Sequence, residues 1–235
     1  MGRRPSLAAA GSAVIAVVGT LGLLGVSVAL KPHEASGPAP YFLAQAAGLV
    51  LALGAIAAAR VVAGRRLRFL RPGDLRAGAR RVAALGIGEG ESWLRVGASF
   101  AVVVSAVTAA FLWFAPATQL REVTPRAWGF ALLLAIPLSV TNAITEEAIC
   151  RLTIAEGFAD DDRLSRLAPW ASALIFGGVH YFGIPGGPIG SVMAGFLAWL
   201  LTRSIQDTRG LGWAWFIHFL QDVLIFTVMA TRFWT

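Results

Sequence analysis

The sequence predicts an all-α protein that crosses a membrane several times, with about seven transmembrane helices. Hydrophobic side chains make up 57% of the 235 residues and charged side chains only 14%, which is too apolar for a soluble domain. The apolar residues also fall into runs of about 17 to 25 residues, the length that spans a hydrocarbon core. The chain is too long for a simple anchor, so we predict a polytopic membrane protein with a buried cavity.

Five apolar runs have the full length of a membrane span, and two others are shorter. The full-length runs are Leu7 to Leu30, Tyr41 to Ala63, Leu94 to Phe114, Trp128 to about Ile154, and Trp213 to Ala230. The shorter runs, Pro169 to Phe182 and Ile189 to Leu201, are flanked or interrupted by Gly and Pro. Such helices still span when neighbouring helices satisfy the freed backbone groups. We therefore expect seven helices, with six or eight as alternatives, and a retained first helix.

The basic residues, 19 Arg and one Lys, predict the orientation in the membrane. If the N-terminus is cytoplasmic, thirteen arginines in the connecting segments lie inside. The basic residues outside are then Lys31, Arg121, Arg126 and Arg232. The positive-inside rule favours this arrangement. Because the arginines are scattered between apolar runs, we expect a multi-pass protein of the cell membrane and no nucleic-acid partner.

An arginine-rich segment divides the chain. Seven arginines lie between Arg65 and Arg81, and Pro72-Gly73 interrupts them. We expect residues 65–92 to form a basic cytoplasmic loop at anionic lipid headgroups. The loop separates an N-terminal pair of transmembrane helices, residues 1–64, from a helical core, residues 93–235.

Three charged side chains lie near the end of the fourth apolar run, in the stretch Glu146-Glu147-Ala148-Ile149-Cys150-Arg151. On an α-helix Glu147 and Arg151 share a face and can pair, while Glu146 points about 100° away. Charges inside a membrane helix are costly and mark functional sites. The alternative is that both glutamates are ordinary interfacial charges, because Glu146 lies about 27 Å along the helix from Trp128.

Two later apolar runs contain further polar residues. His180 ends one run, and His218 and Asp222 are spaced i and i+4 on one face of the last. A single membrane histidine is most often a packing residue. Here two histidines, an unpaired glutamate and an aspartate occur in separate helices, so we expect them to converge on one cavity.

These residues form three short motifs, and the chain resembles a known family through them. The motifs are EExxxR, FxxxH and HxxxD, matched by Glu146, Glu147 and Arg151, by Phe176 and His180, and by His218 and Asp222. In this order the motifs resemble the CPBP family of membrane proteases, which includes the type II CAAX prenyl endopeptidases. The N-terminal third of the chain carries no such motif.

The resemblance implies an intramembrane endopeptidase that hydrolyses a membrane-associated protein or peptide. It implies that Glu146 is the general base, that His180 binds and orients the water, and that His218 donates to the tetrahedral intermediate. Glu147 and Arg151 then form a supporting pair. An ionised aspartate cannot donate a hydrogen bond to an oxyanion, so we expect Asp222 to orient or charge His218.

The resemblance leaves open whether a metal takes part. Glu146, His180 and His218 would form a His₂Glu set of the kind that binds catalytic zinc. The sequence has no HExxH motif, and we expect a metal-free mechanism with zinc as the alternative.

Two other function classes stay open. A protein of this fold that cleaves nothing could be a membrane scaffold or a bacteriocin-immunity protein. Glu, His and Asp in membrane helices also build the proton relays of transporters. We expect Cys150 to be a buried packing residue and Asp160, Asp161 and Asp162 to form a solvated turn.

Overall fold

A bundle of seven long helices forms the part of the chain that the computed structural model describes, residues 5–30, 37–114, 123–183 and 186–231. The helices are α1 Pro5–Ala29, α2 Ala39–Ala63, α3 Trp93–Phe114, α4 Pro125–Gly157, α5 Asp162–Val179, α6 Gly187–Thr208 and α7 Gly212–Thr231. These described residues contain isolated β-bridges but no β-strand. The predicted all-α class is confirmed.

Six of the helices, all except α5, are long and apolar enough to cross a membrane by length and composition. This confirms the prediction of a polytopic membrane protein. Helix α5 differs because its first turn is polar; the Asp161 side chain caps it by accepting a hydrogen bond from the Leu164 backbone N–H at 2.9 Å. Helix α6 is longer than the apolar run Ile189 to Leu201, because the polar residues after Leu201 continue the helix to Thr208.

Helix α4 is the central element and changes its geometry partway along. It is α-helical over Pro125–Glu146, π-helical over Glu147–Leu152 and α-helical again over Thr153–Gly157. The Thr124 side chain caps its start by accepting from the Ala127 backbone N–H at 3.2 Å. The expectation of regular α-helical geometry through the charged stretch is therefore wrong. Such π-turns occur often at functional sites.

The N-terminal helix pair packs directly on this π-turn. In α1, Thr20 Oγ1 lies 3.3 Å from Cys150 Sγ. In α2, Gln45 Nε2 donates to Asn142 Oδ1 at 3.3 Å. Cys150 is buried, as predicted. The helix pair thus supports the part of α4 that carries the charged residues.

Helices α5 and α6 meet through glycine. A Cβ added at Gly177 would lie 2.7 Å from the Ser191 carbonyl oxygen and 3.1 Å from the Gly195 Cα atom. The two backbones therefore touch at a separation that only a residue without a side chain permits. This contact lies one turn before His180 and fixes the end of α5.

The arginine-rich segment 65–92 folds onto one end of the bundle, where α1, α3, α5 and α7 begin. Asp207, near the end of α6, accepts from Arg80 Nε at 2.5 Å and from Trp93 Nε1 at 3.0 Å. The Arg80 backbone N–H donates to the same carboxylate at 3.1 Å. A single buried carboxylate thus ties the segment to α3 and α6.

A second carboxylate, that of Glu156, holds the start of the same segment. It pairs with Arg65 at 2.8 Å and accepts from the Phe69 backbone N–H at 2.5 Å. Arg68 pairs with Asp160 in the turn after α4. Part of the basic charge of the segment is therefore paired within the protein, and its contact with lipid headgroups stays a prediction. Asp160 lies in a turn with an exposed side chain, as expected of Asp160, and pairs with Arg68 there.

The orientation in the membrane stays a prediction. It depends on Arg3, Arg4, Lys31, Arg121 and Arg232, all of which lie outside the described residues. Among the described residues, Arg126 lies at the opposite end, at the start of α4, and Arg151 is buried within the bundle. The other arginines gather at the end that carries segment 65–92, as the positive-inside rule requires of a cytoplasmic face.

We predict that Asp207→Ala loosens segment 65–92. The substitution leaves the Trp93 indole N–H and the Arg80 backbone N–H without their acceptor, at a cost of about 1–3 kcal/mol. The thermal unfolding midpoint in detergent should fall, and proteolysis within 65–92 should accelerate. Glu89→Ala, which removes an exposed carboxylate of the same segment, is the control. Equal protease resistance of the two variants would contradict the role of Asp207.

Candidate active site

The predicted pair between Glu147 and Arg151 is present and completely buried. Glu147 Oε1 lies 2.9 Å from Arg151 Nη1, and the side chains are 1% and 0% exposed. Ordinary interfacial charges would be in contact with solvent or headgroups, so that reading of Glu147 is wrong. Because the unpaired charges would be very costly here, each side chain needs the other.

Phe176, from the FxxxH motif, contacts the other side of Arg151. The guanidinium carbon lies 3.9 Å from the centre of the Phe176 ring, a close cation–π contact. The same ring packs against His180, with ring centres 4.1 Å apart. Phe176 therefore connects the charged turn of α4 to the end of α5.

His218 of α7 lies between three carboxylates. Its Nδ1 is 2.8 Å from Glu147 Oε1, and its Nε2 is 3.4 Å from Glu146 Oε2 and 3.6 Å from Asp222 Oδ1. The shortest contact is with Glu147, so Glu147 and not Asp222 holds the ring at Nδ1. Asp222 faces the same nitrogen as Glu146, and its part in orienting or charging His218 stays a prediction.

His180 lies in a short 3₁₀ turn, His180–Phe182, that follows α5. Its Nδ1 is 2.9 Å from the Phe176 carbonyl oxygen. A carbonyl oxygen only accepts, so Nδ1 carries the hydrogen in this contact and donates it. In the neutral ring the lone pair is then on Nε2, which is free to accept from a water.

Glu146, His180, His218 and Asp222 line one cavity of about 510 Å³, as the convergence argument predicts. The Glu146 side chain is 20% exposed, in contrast to buried Glu147. The walls come mainly from apolar residues of α3, α6 and α7, among them Phe100, Val104, Met193, Leu197, Phe226 and Met229. An apolar cavity with a few converging polar groups is typical of a ligand site.

The sequence analysis missed two polar residues that support this cavity. Asn142, one turn before Glu146, donates from Nδ2 to Asp222 Oδ2 at 3.1 Å. Gln45 of α2 donates to Asn142, and its own Oε1 accepts from Thr141 at 3.1 Å. Asn142 lies four residues before Glu146, so the two residues share a helical face. This spacing is the sign in the sequence that could have identified Asn142 as part of the site. Nothing in the sequence connects Gln45 to them.

The residues that would bind a metal are Glu146, His180 and His218. Across the described ranges of the chain, no group of three His, Cys, Asp or Glu side chains is arranged to hold one ion. His218 Nε2 faces two carboxylates. No step of the proposed mechanism is assigned to a metal, and zinc at these three residues stays the alternative.

We predict that Arg151→Met destabilises the protein strongly. It leaves Glu147 buried without its cation, and breaking a buried ion pair costs about 3–5 kcal/mol. The double variant Glu147→Gln, Arg151→Met removes both charges and should recover most of the stability. The thermal unfolding midpoint in detergent measures the stability of the single and the double variant. A single variant as stable as the wild type would contradict a structural role for the pair.

Comparison with known proteins supports the motif-based resemblance. Residues 126–224, somewhat less than half of the chain, match the family model described as type II CAAX prenyl endopeptidase Rce1-like. Neither the curated proteins nor the solved structures gave a match. The matched region runs from the start of α4 into α7 and contains all six predicted site residues. Through this region the chain is similar to the Rce1-like type II CAAX prenyl endopeptidases, which supports a place among the CPBP proteins.

Proposed function

We propose that the protein is an intramembrane endopeptidase that hydrolyses a peptide bond of a membrane-associated protein or peptide. The observation that carries this proposal is that Glu146, His180 and His218, from three different helical segments, line one cavity within the region that matches the endopeptidase family. Each has a chemically suitable role there.

Glu146 is the general base. Its carboxylate is partly exposed to the cavity and is not used by the Arg151 pair, so it is free to take a proton from a water. His180 accepts the other hydrogen of that water at Nε2, because its Nδ1 is held by the Phe176 carbonyl. The oxygen lone pair is then directed at the scissile carbonyl carbon.

His218 stabilises the intermediate. Because Nδ1 donates to Glu147, His218 Nε2 carries a hydrogen only in the imidazolium, the form that the three neighbouring carboxylates favour. Attack of the water oxygen breaks the carbonyl π bond and places a negative charge on the carbonyl oxygen, and the imidazolium N–H at Nε2 donates to it. Glu146 returns its proton to the nitrogen of the leaving amine as the C–N bond breaks. The products are a carboxylic acid and an amine, and the enzyme is regenerated.

Glu147 and Arg151 position this machinery without touching the substrate. Glu147 contacts His218 at Nδ1 and so directs Nε2 towards the cavity, as an acid does in a catalytic triad. Arg151 balances the charge of Glu147 and fixes the side of the π-turn from which Glu146 projects.

The cavity walls favour an apolar substrate segment. Aromatic and aliphatic side chains from α3, α6 and α7 surround the polar groups. A prenylated peptide, which the family name indicates, fits such walls, and so does an apolar peptide without a lipid. The lining residues lie in the middle and later parts of α3 and α7, at the end of α5 and in the first part of α6, so the cavity extends away from the end of the bundle that carries segment 65–92.

We predict that Glu146→Gln, His180→Ala and His218→Ala each lower cleavage by at least about 100-fold while the protein stays folded. The assay uses purified protein in lipid vesicles and an internally quenched peptide with a C-terminal CAAX sequence, tested with and without a farnesyl group. Glu89→Gln, an exposed glutamate outside the site, is the control.

The same experiment separates the proposal from the scaffold alternative. If Glu146→Gln cleaves as fast as the wild type, or supports its cellular role unchanged, the protein acts without peptide hydrolysis at this site. Equal rates for the two peptides would identify the peptide rather than the prenyl group as the recognised feature.

We predict that cleavage does not require a bound metal. After treatment with 1,10-phenanthroline and its removal, the rate should stay within about two-fold of the untreated enzyme. Elemental mass spectrometry of the purified protein should find no stoichiometric zinc. Loss of activity on chelation, with recovery on adding zinc, would instead assign Glu146, His180 and His218 as ligands.

A further inference from the structure

Among the described polar groups that line the cavity, one amide hydrogen has no hydrogen-bond acceptor. Besides the carboxylates and histidines, the cavity is lined by Thr108, Asn142 and Gln221. The Thr108 hydroxyl donates to Gln221 Oε1 at 2.6 Å. Gln221 Nε2 donates to Ser105 Oγ at 3.1 Å and to the Ile217 carbonyl at 3.4 Å. The hydrogens of Thr108 and Gln221 are therefore already used.

Asn142 differs from them because its amide group has two hydrogens and only one is used. One donates to Asp222 Oδ2 at 3.1 Å, and no other acceptor lies within reach among the described residues. Its carbonyl oxygen accepts from Gln45 at 3.3 Å. The second N–H is thus available within the cavity that holds Glu146.

The orientation of this amide is fixed by its partners. A carboxylate only accepts, so the Asp222 contact requires Nδ2 and excludes the flipped amide, whose oxygen would face the Asp222 oxygens. Gln45 donates to the Asn142 oxygen at 3.3 Å, which fits the same orientation. Asn142 therefore has one preferred orientation before any substrate binds.

The reaction needs such a donor because negative charge surrounds the cavity. Glu146 and Asp222 both face His218 Nε2, and neither ionised carboxylate can donate to an oxyanion. When the oxyanion forms, Glu146 has already taken the proton of the water, so the repulsion comes from the ionised Asp222 carboxylate. His218 offers one N–H, whereas a fixed amide on α4 offers a second from a different direction.

We propose that Asn142 is a catalytic residue that donates its free N–H to the oxyanion of the tetrahedral intermediate, with Asp222 and Gln45 as the residues that position it. This inference rests on the proposed function. Glu146 and Asn142 lie one turn apart on the same face of α4 and line the same cavity, so base and donor are both within the site of one scissile peptide group. Asp222 contributes by holding this amide.

The first test determines whether the loss of rate appears in kcat or in KM. Asn142→Ala should lower kcat about 100-fold and leave KM within about three-fold, since the donor acts only in the transition state. A phosphinate analogue of the scissile bond, which imitates the tetrahedral intermediate, should bind about 100-fold more weakly to this variant. The uncleaved N-methyl amide of the same peptide should bind as it does to the wild type.

The second test exchanges the side chains of Asn142 and Asp222. Asn142→Asp places two carboxylates face to face and should abolish cleavage. The double variant Asn142→Asp, Asp222→Asn restores an amide and a carboxylate at the same contact and should regain at least about ten-fold in rate. Ser139→Ala, a buried hydroxyl one turn earlier that bonds only the Ala135 carbonyl, is the control and should cleave normally.

The outcomes separate this inference from the proposed function. If Glu146→Gln is inactive but Asn142→Ala keeps wild-type kcat, the hydrolysis proposal stands and the role of Asn142 is wrong. Equal weakening of the phosphinate and the N-methyl amide would show that Asn142 only maintains the cavity, and would also overturn the inference. If Glu146→Gln keeps full activity, the proposed function itself fails.

Discussion

The buried contact between Glu147 and Arg151 is the interaction on which the rest of the structure depends. Both side chains are fully enclosed, so the pair is stable only with close partners on every side. Those partners are Phe176 of α5, which covers the guanidinium, and His218 of α7, which contacts the carboxylate. One buried ion pair therefore requires three helices to meet at the π-turn of α4, and the cavity lies where they meet.

The two adjacent glutamates have different surroundings, and this difference underlies the proposed chemistry. Glu147 is enclosed by a cation and a histidine, whereas Glu146 projects into the cavity. The π-turn begins at Glu147, so the change of helical geometry falls between the two side chains. The Rce1-like region thus combines a rigid charged support with a carboxylate that remains available to a water.

Local spacing made some of this predictable. The i, i+4 rule predicted the Glu147–Arg151 pair, and the length of the apolar runs predicted the helical bundle. Contacts between distant segments were not predictable, because Glu147 to His218 and Asn142 to Asp222 depend on how α4 crosses α7. Gln45 acts through the packing of α2 on α4, and the anchoring of segment 65–92 depends on Asp207 and Glu156. The π-turn follows from the same packing and has no signature in the sequence.

An experimental structure of the protein with a peptide phosphinate bound tests the central claim most directly. We expect one phosphinate oxygen to lie about 3 Å from Glu146, in the position of the attacking water, and the other to lie about 3 Å from His218 Nε2 and Asn142 Nδ2. We also expect Glu147 to remain in contact with His218 and Arg151 and not to touch the inhibitor. A phosphinate bound elsewhere, with Glu146 and His218 more than about 6 Å from its oxygens, would contradict the proposed active site.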